Sequence, residues 1–222
     1  MKKTKRFAVI GLGKFGFYLA RSLFERGHDV ISIDIDKDVV QEIKDYSTQA
    51  IIADATNKDT LLSLGIKDVD IAIVSLGTRM DHSILVTLHL KEIGLNEIVV
   101  KAITEDHRKI LSMIGATEVI FPERDMAEKL AHSLSSPNIM DFLPLTEGVS
   151  IMEVVPLKSF VGKSIKDIQL RNKFGVQVIA VKEIVPERMN LIPAPDTIVK
   201  ESDVLVLMGR DEDLAKLEDQ SE

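Results

Sequence analysis

Three glycines near the start of the chain have the spacing of a loop that binds phosphate. Gly11, Gly13 and Gly16 follow directly after the apolar run 7–10. Four consecutive apolar residues are typical of a strand buried on both faces of a sheet. Gly11 permits a sharp turn, Gly13 lets a diphosphate approach the backbone, and Gly16 lets the next helix pack against the sheet. The pattern predicts a strand, a turn and a helix whose N-terminus points at a phosphate.

An acidic residue stands where a ribose contact is expected. The second apolar run, 30–33, ends at Asp34, eighteen residues after Gly16. A carboxylate there accepts hydrogen bonds from both hydroxyls of an adenosine ribose and repels a 2′-phosphate. We therefore predict binding of a nucleotide with a free 2′-hydroxyl. The alternative is a glycine-rich turn that binds nothing.

Lys14 lies inside the glycine loop, beside the point where phosphates approach. Nicotinamide enzymes have no general need for a cation at this position. A lysine is a mobile point charge and is suited to meeting a terminal phosphate. The alternative interpretation is a solvated lysine in the first turn of a helix.

Six apolar runs alternate with helical patterns as far as residue 136. The strands are predicted over 7–10, 30–33, 50–53, 71–75, 98–101 and 118–121. The helices are predicted over about 14–26, 39–45, 59–64, 81–93, 106–114 and 124–136. This alternation predicts an α/β fold with a Rossmann-like, doubly wound parallel sheet.

Ligands of such sheets collect outside the carboxyl ends of the strands. The residues at or just beyond these ends are Asp34, Asp54, Ser75, Gly77, Lys101 and Glu123. The candidate nucleotide site also takes in the neighbouring Phe15, Ile35, Ala55 and Leu76. For Asp54 and Ser75, a plain solvent-facing role is an equal alternative.

Serine, proline and asparagine end the sixth helix, so the domain boundary is predicted close to Pro137. The first domain then covers 1–137 and the second 138–222. The second is predicted to be a smaller α+β domain, with strands at 151–155, 177–182 and 203–208 and a short helix at 164–170. The prolines of 191–196 suit an edge strand or a turn.

Composition excludes several classes of function. The formal net charge of −7 argues against nucleic acid as the main partner. The chain has no cysteine, so disulfides, thiol catalysis and thiolate metal sites are excluded. No apolar run is long enough to span a bilayer or to form a signal peptide, which predicts a cytoplasmic protein. The five histidines are unpaired in sequence, and no hydrolase motif is present, so no catalytic residue is predicted.

Several stretches together resemble the regulatory subunits of Trk/Ktr-type potassium uptake systems. They are FAVIGLGKFG, SIDID, ADAT, VSLG, FPERDMAEKLA and IPAPDTIVKESDVLVLMG. Proteins of that family join a nucleotide-binding RCK N-terminal domain to a small RCK C-terminal domain. The resemblance covers essentially the whole chain in the same order.

The resemblance implies a non-enzymatic gating subunit. Homodimers would assemble into an octameric ring on a membrane-embedded potassium pore subunit, at the inner face of the cell membrane, and the ring would change shape when ATP replaces ADP. It gives Asp54 an adenine contact and gives Glu123 a role in holding Mg²⁺ or another cation at the phosphates. Related proteins often have arginine in place of Lys14. Some relatives bind cyclic di-AMP, and the matching residues are Asp167, Arg171, Asn172 and Pro193.

Two other functions remain open from the sequence. An NAD-dependent oxidoreductase would use the same glycine loop and Asp34 with NAD(H). A nucleotide-sensing module for another partner would share every feature of the site.

Overall fold

The computed structural model describes residues 4–77, 79–135, 139–184 and 186–218. The chain divides into two compact units, Met1–Glu123 and Arg124–Glu222, and each unit has its own hydrophobic core. The boundary predicted at Pro137 lies outside the described residues and stays a prediction.

The first unit is built on a parallel sheet of six strands. They are β1 (Arg6–Ile10), β2 (Asp29–Asp34), β3 (Gln49–Ile52), β4 (Ile71–Val74), β5 (Glu97–Lys101) and β6 (Glu118–Ile120). Their order in the sheet is β3-β2-β1-β4-β5-β6, and every neighbouring pair is parallel. The order reverses between β1 and β4, which is where such sheets bind their ligands.

Helices cover both faces of this sheet. They are α1 (Lys14–Glu25), α2 (Lys37–Ile43), α3 (Lys58–Ser63), α4 (Met80–Ile93) and α5 (Glu105–Ile114), and α6 (Pro122–Ser135) begins after β6. Side chains of a strand alternate between the faces, so Ala8 and Ile10 pack in one core cluster and Phe7 and Val9 in the other. The predicted doubly wound sheet is confirmed.

The second unit is built on an antiparallel sheet of five strands in the order β10-β9-β11-β8-β7. The strands are β7 (Ile139–Thr146), β8 (Val149–Val154), β9 (Gln177–Glu183), β10 (Arg188–Leu191) and β11 (Val204–Arg210). The helices are α7 (Ile165–Ile168), α8 (Leu170–Phe174) and α9 (Asp211–Glu218). The core cluster of this unit includes Met152 and Leu207 from the sheet and Ile168 and Leu214 from the helices.

The second unit has more elements than the sequence predicts. β7, β10 and α9 were not predicted as regular elements, and the predicted helix 164–170 is interrupted. Gln169 has a left-handed backbone with φ of 58°, and it separates α7 from α8. β10 is an edge strand of its sheet, and Pro193 and Pro195 lie in the loop that follows it. This agrees with the edge strand or turn predicted for 191–196. In the part of the chain that the structure describes, every helix is too short or too polar to span a bilayer.

Candidate nucleotide site

The glycine loop lies at the carboxyl end of β1, where the strand order reverses. The backbone N–H of Gly11 donates to the Ile33 carbonyl at 2.8 Å, and the N–H of Ser75 donates to the Ile10 carbonyl at 2.7 Å. These bonds fix the loop to the neighbouring strands β2 and β4. The loop leads directly into α1, so the free N–H groups of the first helical turn lie beside it.

Each glycine of the loop has a different reason to lack a side chain. Gly11 has φ of +92°, and a Cβ there would lie 2.4 Å from the Ser75 carbonyl oxygen. A Cβ on Gly16 would lie 2.0 Å from the Gly11 carbonyl oxygen. Gly13 would meet nothing within 4 Å. Two glycines are therefore required by the packing of the loop, and Gly13 borders open space.

The carboxylate of Asp34 is bonded to the glycine loop. Its Oδ2 accepts from the backbone N–H of Leu12 at 2.6 Å, and its Oδ1 accepts from the N–H of Asp36 at 3.0 Å. The Asp34 carbonyl accepts from the N–H of Ala53 at 2.9 Å, which links the ends of β2 and β3. Asp34 thus stands between the phosphate loop and the third strand, where a ribose would join a diphosphate to a base.

Asp54 lies just beyond the end of β3 and is held by Thr56. Its Oδ1 accepts from the Thr56 hydroxyl at 2.6 Å and from the Thr56 N–H at 2.9 Å. These hydrogen bonds hold the pKa of the Asp54 carboxyl below its ordinary value, and the charge of His82 lowers it further. The anionic form is therefore favoured in a carboxylate that is fixed in place and exposed.

The other predicted residues surround the same crevice with unequal exposure. Ser75 and Ala55 are buried, Leu76 is partly buried, and Gly77 and Ile35 are exposed. Ser75 therefore supports the loop from below. Ile35 and Gly77 are left open on the two sides of the loop, at the ends of β2 and β4.

Lys101 and Glu123 form an ion pair at the end of β5. The ammonium Nζ of Lys101 contacts Oε1 of Glu123, and this hydrogen bond lowers the pKa of the Glu123 carboxyl. Nζ also lies 5.9 Å from the centre of the Phe15 ring, at the start of α1. Among the described residues, no three acidic or histidine side chains are grouped so as to hold a metal ion. Glu123 is thus a single carboxylate paired with the ammonium group of Lys101.

Lys14 is exposed at the first position of α1. Its neighbour Gly13 is the N-cap of α1 and has no side chain with which to cap the helix. The ammonium group extends from the same turn whose N–H groups attract phosphate.

The four residues matched to cyclic di-AMP binding lie in the second unit. Ser164 caps α7: its hydroxyl accepts from the backbone N–H of Asp167 at 3.3 Å and donates to Oδ2 of Asp167 at 2.5 Å. The N–H of Lys166 donates to the Pro195 carbonyl at 2.8 Å, which places α7 against the loop that contains Pro193. Arg171 and Asn172 are exposed on α8. The structure therefore brings α7 and the proline loop together.

Sequence reasoning placed the predicted site residues at or just beyond the strand ends but missed two of their contacts. It did not predict that Thr56 fixes Asp54, although an aspartate two residues before a threonine is a known turn signal. It also did not pair Lys101 with Glu123. That pair could not be predicted from the sequence, because only the pairing of β5 with β6 in the sheet places their carboxyl ends side by side.

The sheet order, the glycine loop and the acid after β2 define a nucleotide-binding domain of the Rossmann class. Residues 7–122 match the family model of the TrkA-N domain, and residues 149–221 match that of the TrkA-C domain. The chain belongs to the family of Ktr system potassium uptake regulatory proteins, as the sequence motifs predicted.

Two curated relatives from Bacillus subtilis carry this assignment. The chain is 40% identical to Ktr system potassium uptake protein A over 98% of this chain and 97% of the relative. It is 38% identical to Ktr system potassium uptake protein C over 96% of each chain. A third relative, from Vibrio alginolyticus, is 36% identical over 95% of each chain.

Solved structures share the fold. A GsuK channel bound to NAD matches with a TM-score of 0.68 and 19% identity, over 98% of this chain and 39% of that chain. The GsuK RCK domain matches with a TM-score of 0.67 and 20% identity, over 98% of this chain and 47% of that one. Both confirm the arrangement of a Rossmann-like sheet and a smaller second domain.

Proposed function

We propose that this protein senses adenine nucleotides and thereby gates a membrane-embedded potassium pore subunit, to which it binds at the inner face of the membrane. The observation that carries the proposal is the bond between the Asp34 carboxylate and the glycine loop. It holds a ribose-binding acid and a phosphate-binding helix terminus in one crevice at the switch point of the sheet. The family supports potassium uptake as the process that is regulated.

The crevice favours an adenine nucleotide with a free ribose 2′-hydroxyl. Asp34 would accept from the ribose hydroxyls, and Asp54 would accept from the adenine amino group. The residues expected to border the nucleotide are Gly11, Gly13, Lys14, Phe15, Gly16, Asp34, Ile35, Asp54, Ala55, Ser75, Leu76, Gly77 and Lys101. ATP and ADP are the proposed ligands, and NAD(H) is the competing one.

The difference between ATP and ADP must come from a contact that only the third phosphate makes. A ligand shifts an equilibrium between two shapes only by its difference in affinity for them. Lys14 and the Lys101–Glu123 pair are the charged groups beside the start of α1 that would meet this phosphate. Mg²⁺ is commonly held by one or two carboxylates together with nucleotide phosphates, so Glu123 would join a cation when a nucleotide is bound.

The proposal also includes self-association through exposed apolar side chains. Met126, Leu130 and Leu134 are spaced by four on α6 and are all exposed. In the first unit, Leu88 on α4 and Met113 on α5 are exposed on two helices that pack together. A closed ring of dimers needs two different interfaces. We propose that these two surfaces supply them in an octamer.

A second ligand is proposed for the second unit. Asp167, Arg171, Asn172 and Pro193 would take part in binding cyclic di-AMP. The support is the packing of α7 against the proline loop, with the cationic Arg171 exposed on α8. An arginine is suited to phosphate recognition.

The proposal assigns regulation and no catalysed reaction. The family's regulatory role supports this choice over an NAD-dependent oxidoreductase. Turnover of NADH with any oxo acid would favour the oxidoreductase.

The decisive experiment compares the shape of the full chain with ADP and with ATP. We expect small-angle scattering, in the presence of magnesium, to give different ring dimensions for the two nucleotides at saturation. The Asp34→Ala variant should bind neither nucleotide and should show a single set of dimensions. Identical dimensions with both nucleotides bound would overturn the proposal.

A further inference from the structure

The two members of the Lys101–Glu123 ion pair are unequally buried. The side chain of Lys101 is 11% exposed, whereas that of Glu123 is 69% exposed. The charge of a side chain so little exposed is stabilised by an anion beside it, because an unpaired charge away from water is unfavourable. A carboxylate at the surface is hydrated and loses little when its partner leaves. Glu123 can therefore be released at low cost, provided that another anion replaces it at Lys101.

The position of Lys101 allows a phosphate to be that anion. Its Nζ lies 5.9 Å from the centre of the Phe15 ring. Phe15 is the second residue of α1 and follows the Gly13 turn, which borders open space. Phosphates collect at such a helix N-terminus. Nζ would therefore lie beside the outer phosphates of a nucleotide bound at this turn.

We infer that Lys101 exchanges its partner when a nucleoside triphosphate replaces a diphosphate. With a diphosphate, Lys101 stays paired with Glu123. With a triphosphate, Lys101 binds the terminal phosphate, and Glu123 is freed to bind a cation. This inference rests on the proposed function and names the contact that would distinguish the two nucleotides.

Lys14 has a different part in this arrangement. Lys14 is exposed, and it forms no ion pair with any residue that the structure describes. Lys14 would therefore meet the terminal phosphate of ATP without opening an ion pair, and its charge would attract the outer phosphate of ADP as well. Lys101 must break an ion pair first, so it responds only to a phosphate that comes close enough to compete with Glu123.

The first test is the Lys101→Met variant, which removes the charge and keeps a straight side chain against Phe15. We expect calorimetry to show that ATP affinity falls by at least about tenfold while ADP affinity changes by less than about threefold. Lys200→Met is the matched control, because Lys200 forms an ion pair with Glu183 at 2.6 Å in the second unit. Its affinities should equal those of the natural protein.

The second test is the Glu123→Gln variant in magnesium-free buffer. ATP should then bind more tightly than to the natural protein, since no ion pair has to open. The double variant should behave as Lys101→Met does. Equal weakening of ATP and ADP by Lys101→Met, or no weakening at all, would overturn the inference, as would weaker ATP binding by Glu123→Gln without magnesium.

These outcomes are separate from the failure of the proposed function. If Lys101→Met keeps the natural ratio of ATP to ADP affinity while the two nucleotides still give different ring dimensions, the exchange of partners is wrong and the function stands. If both nucleotides bind and the dimensions are the same, the function itself is wrong.

Discussion

A methyl group added at Gly13 is expected to weaken nucleotide binding without weakening the fold. At Gly13 a methyl group would meet nothing within 4 Å, and the backbone has no positive φ. We therefore expect Gly13→Ala to leave the free energy of unfolding within about 0.5 kcal/mol of its natural value. The methyl group would stand where the diphosphate approaches, so nucleotide affinity should fall by at least about tenfold. Urea unfolding and calorimetric titration of the same samples measure both quantities.

Gly16→Ala is the matched contrast to Gly13→Ala. Its methyl group would lie 2.0 Å from the Gly11 carbonyl oxygen, which belongs to the backbone and cannot turn aside. Stability should fall by more than about 1 kcal/mol, the range of overpacked sites. If Gly13→Ala were the less stable of the two, the open space beside Gly13 would not exist in solution.

At the scale of residues, the sequence predicts most about the positions that only one or two residue types can occupy. Three glycines and an acid after the second strand predict a phosphate loop and a ribose contact, because few other residues fit those positions. The pairing of Lys101 with Glu123 was missed, since lysine and glutamate occur on any solvated surface. Only the adjacency of β5 and β6 brings the two together.

At the scale of elements, one buried histidine joins two helices. His107 on α5 is 1% exposed, and its Nε2 lies 2.8 Å from the hydroxyl of Ser83 on α4. The Ser83 hydroxyl also lies 3.0 Å from the Met80 carbonyl, to which it donates. Nε2–H of His107 then donates to Ser83, and Nδ1 is buried without a hydrogen-bond partner among the residues that the structure describes. The arrangement suits a neutral imidazole and leaves no acceptor for a second proton.

This histidine makes the stability of the protein depend on pH. Burial lowers the pKa of His107 below its ordinary value of 6.5. As the pH falls, His107 therefore binds a proton in the unfolded chain before it does so in the folded protein. The contribution of the neutral His107 to the free energy of unfolding is kept above about pH 6.5. It declines below that pH, until the pKa of His107 in the folded protein is reached. The loss approaches at most about 1.4 kcal/mol for each pH unit in that window.

The measurement is urea unfolding between pH 7.5 and 5 for the natural protein and for His107→Gln. The variant should be less stable at pH 7.5, and its stability should change less with pH. His82→Gln is the control, because His82 is partly exposed and lies on the same helix as Ser83. A pH profile unchanged by His107→Gln would contradict the assignment of a neutral buried imidazole.

Elements were predicted well where the local pattern and the packing agree. Most residues of the six parallel strands are apolar, and the predicted strands begin and end within one residue of the observed ones. β7 contains Pro144 and has two shifts of register, which an edge strand tolerates. α9 begins with three acids, and its stability depends on Leu214 and Leu217, which are buried in the core of the second unit.

At the scale of the whole molecule, helices of both units expose large apolar side chains. Met113 on α5 is 86% exposed and Leu134 on α6 is 77% exposed. Large exposed apolar side chains grouped on one face are typical of interaction surfaces. The sequence alone could not reveal this, because the same spacing of three and four is expected of a buried helix face. Only the fold shows which face is left uncovered.

The last prediction concerns assembly. We expect the natural protein to sediment as an octamer, and Met113→Glu and Leu130→Glu each to dissociate it, because each places a charge in a different apolar interface. Either single variant should stop at a smaller complex held by the remaining interface, and the double variant should be a monomer. Ile184→Glu is the control. Ile184 is exposed but lies on neither of the two proposed surfaces, so this variant should leave the octamer intact. If the double variant still sedimented as the natural protein does, the interfaces would lie elsewhere on the molecule, and a change of shape between ADP and ATP would have to be transmitted through a surface other than α5 and α6.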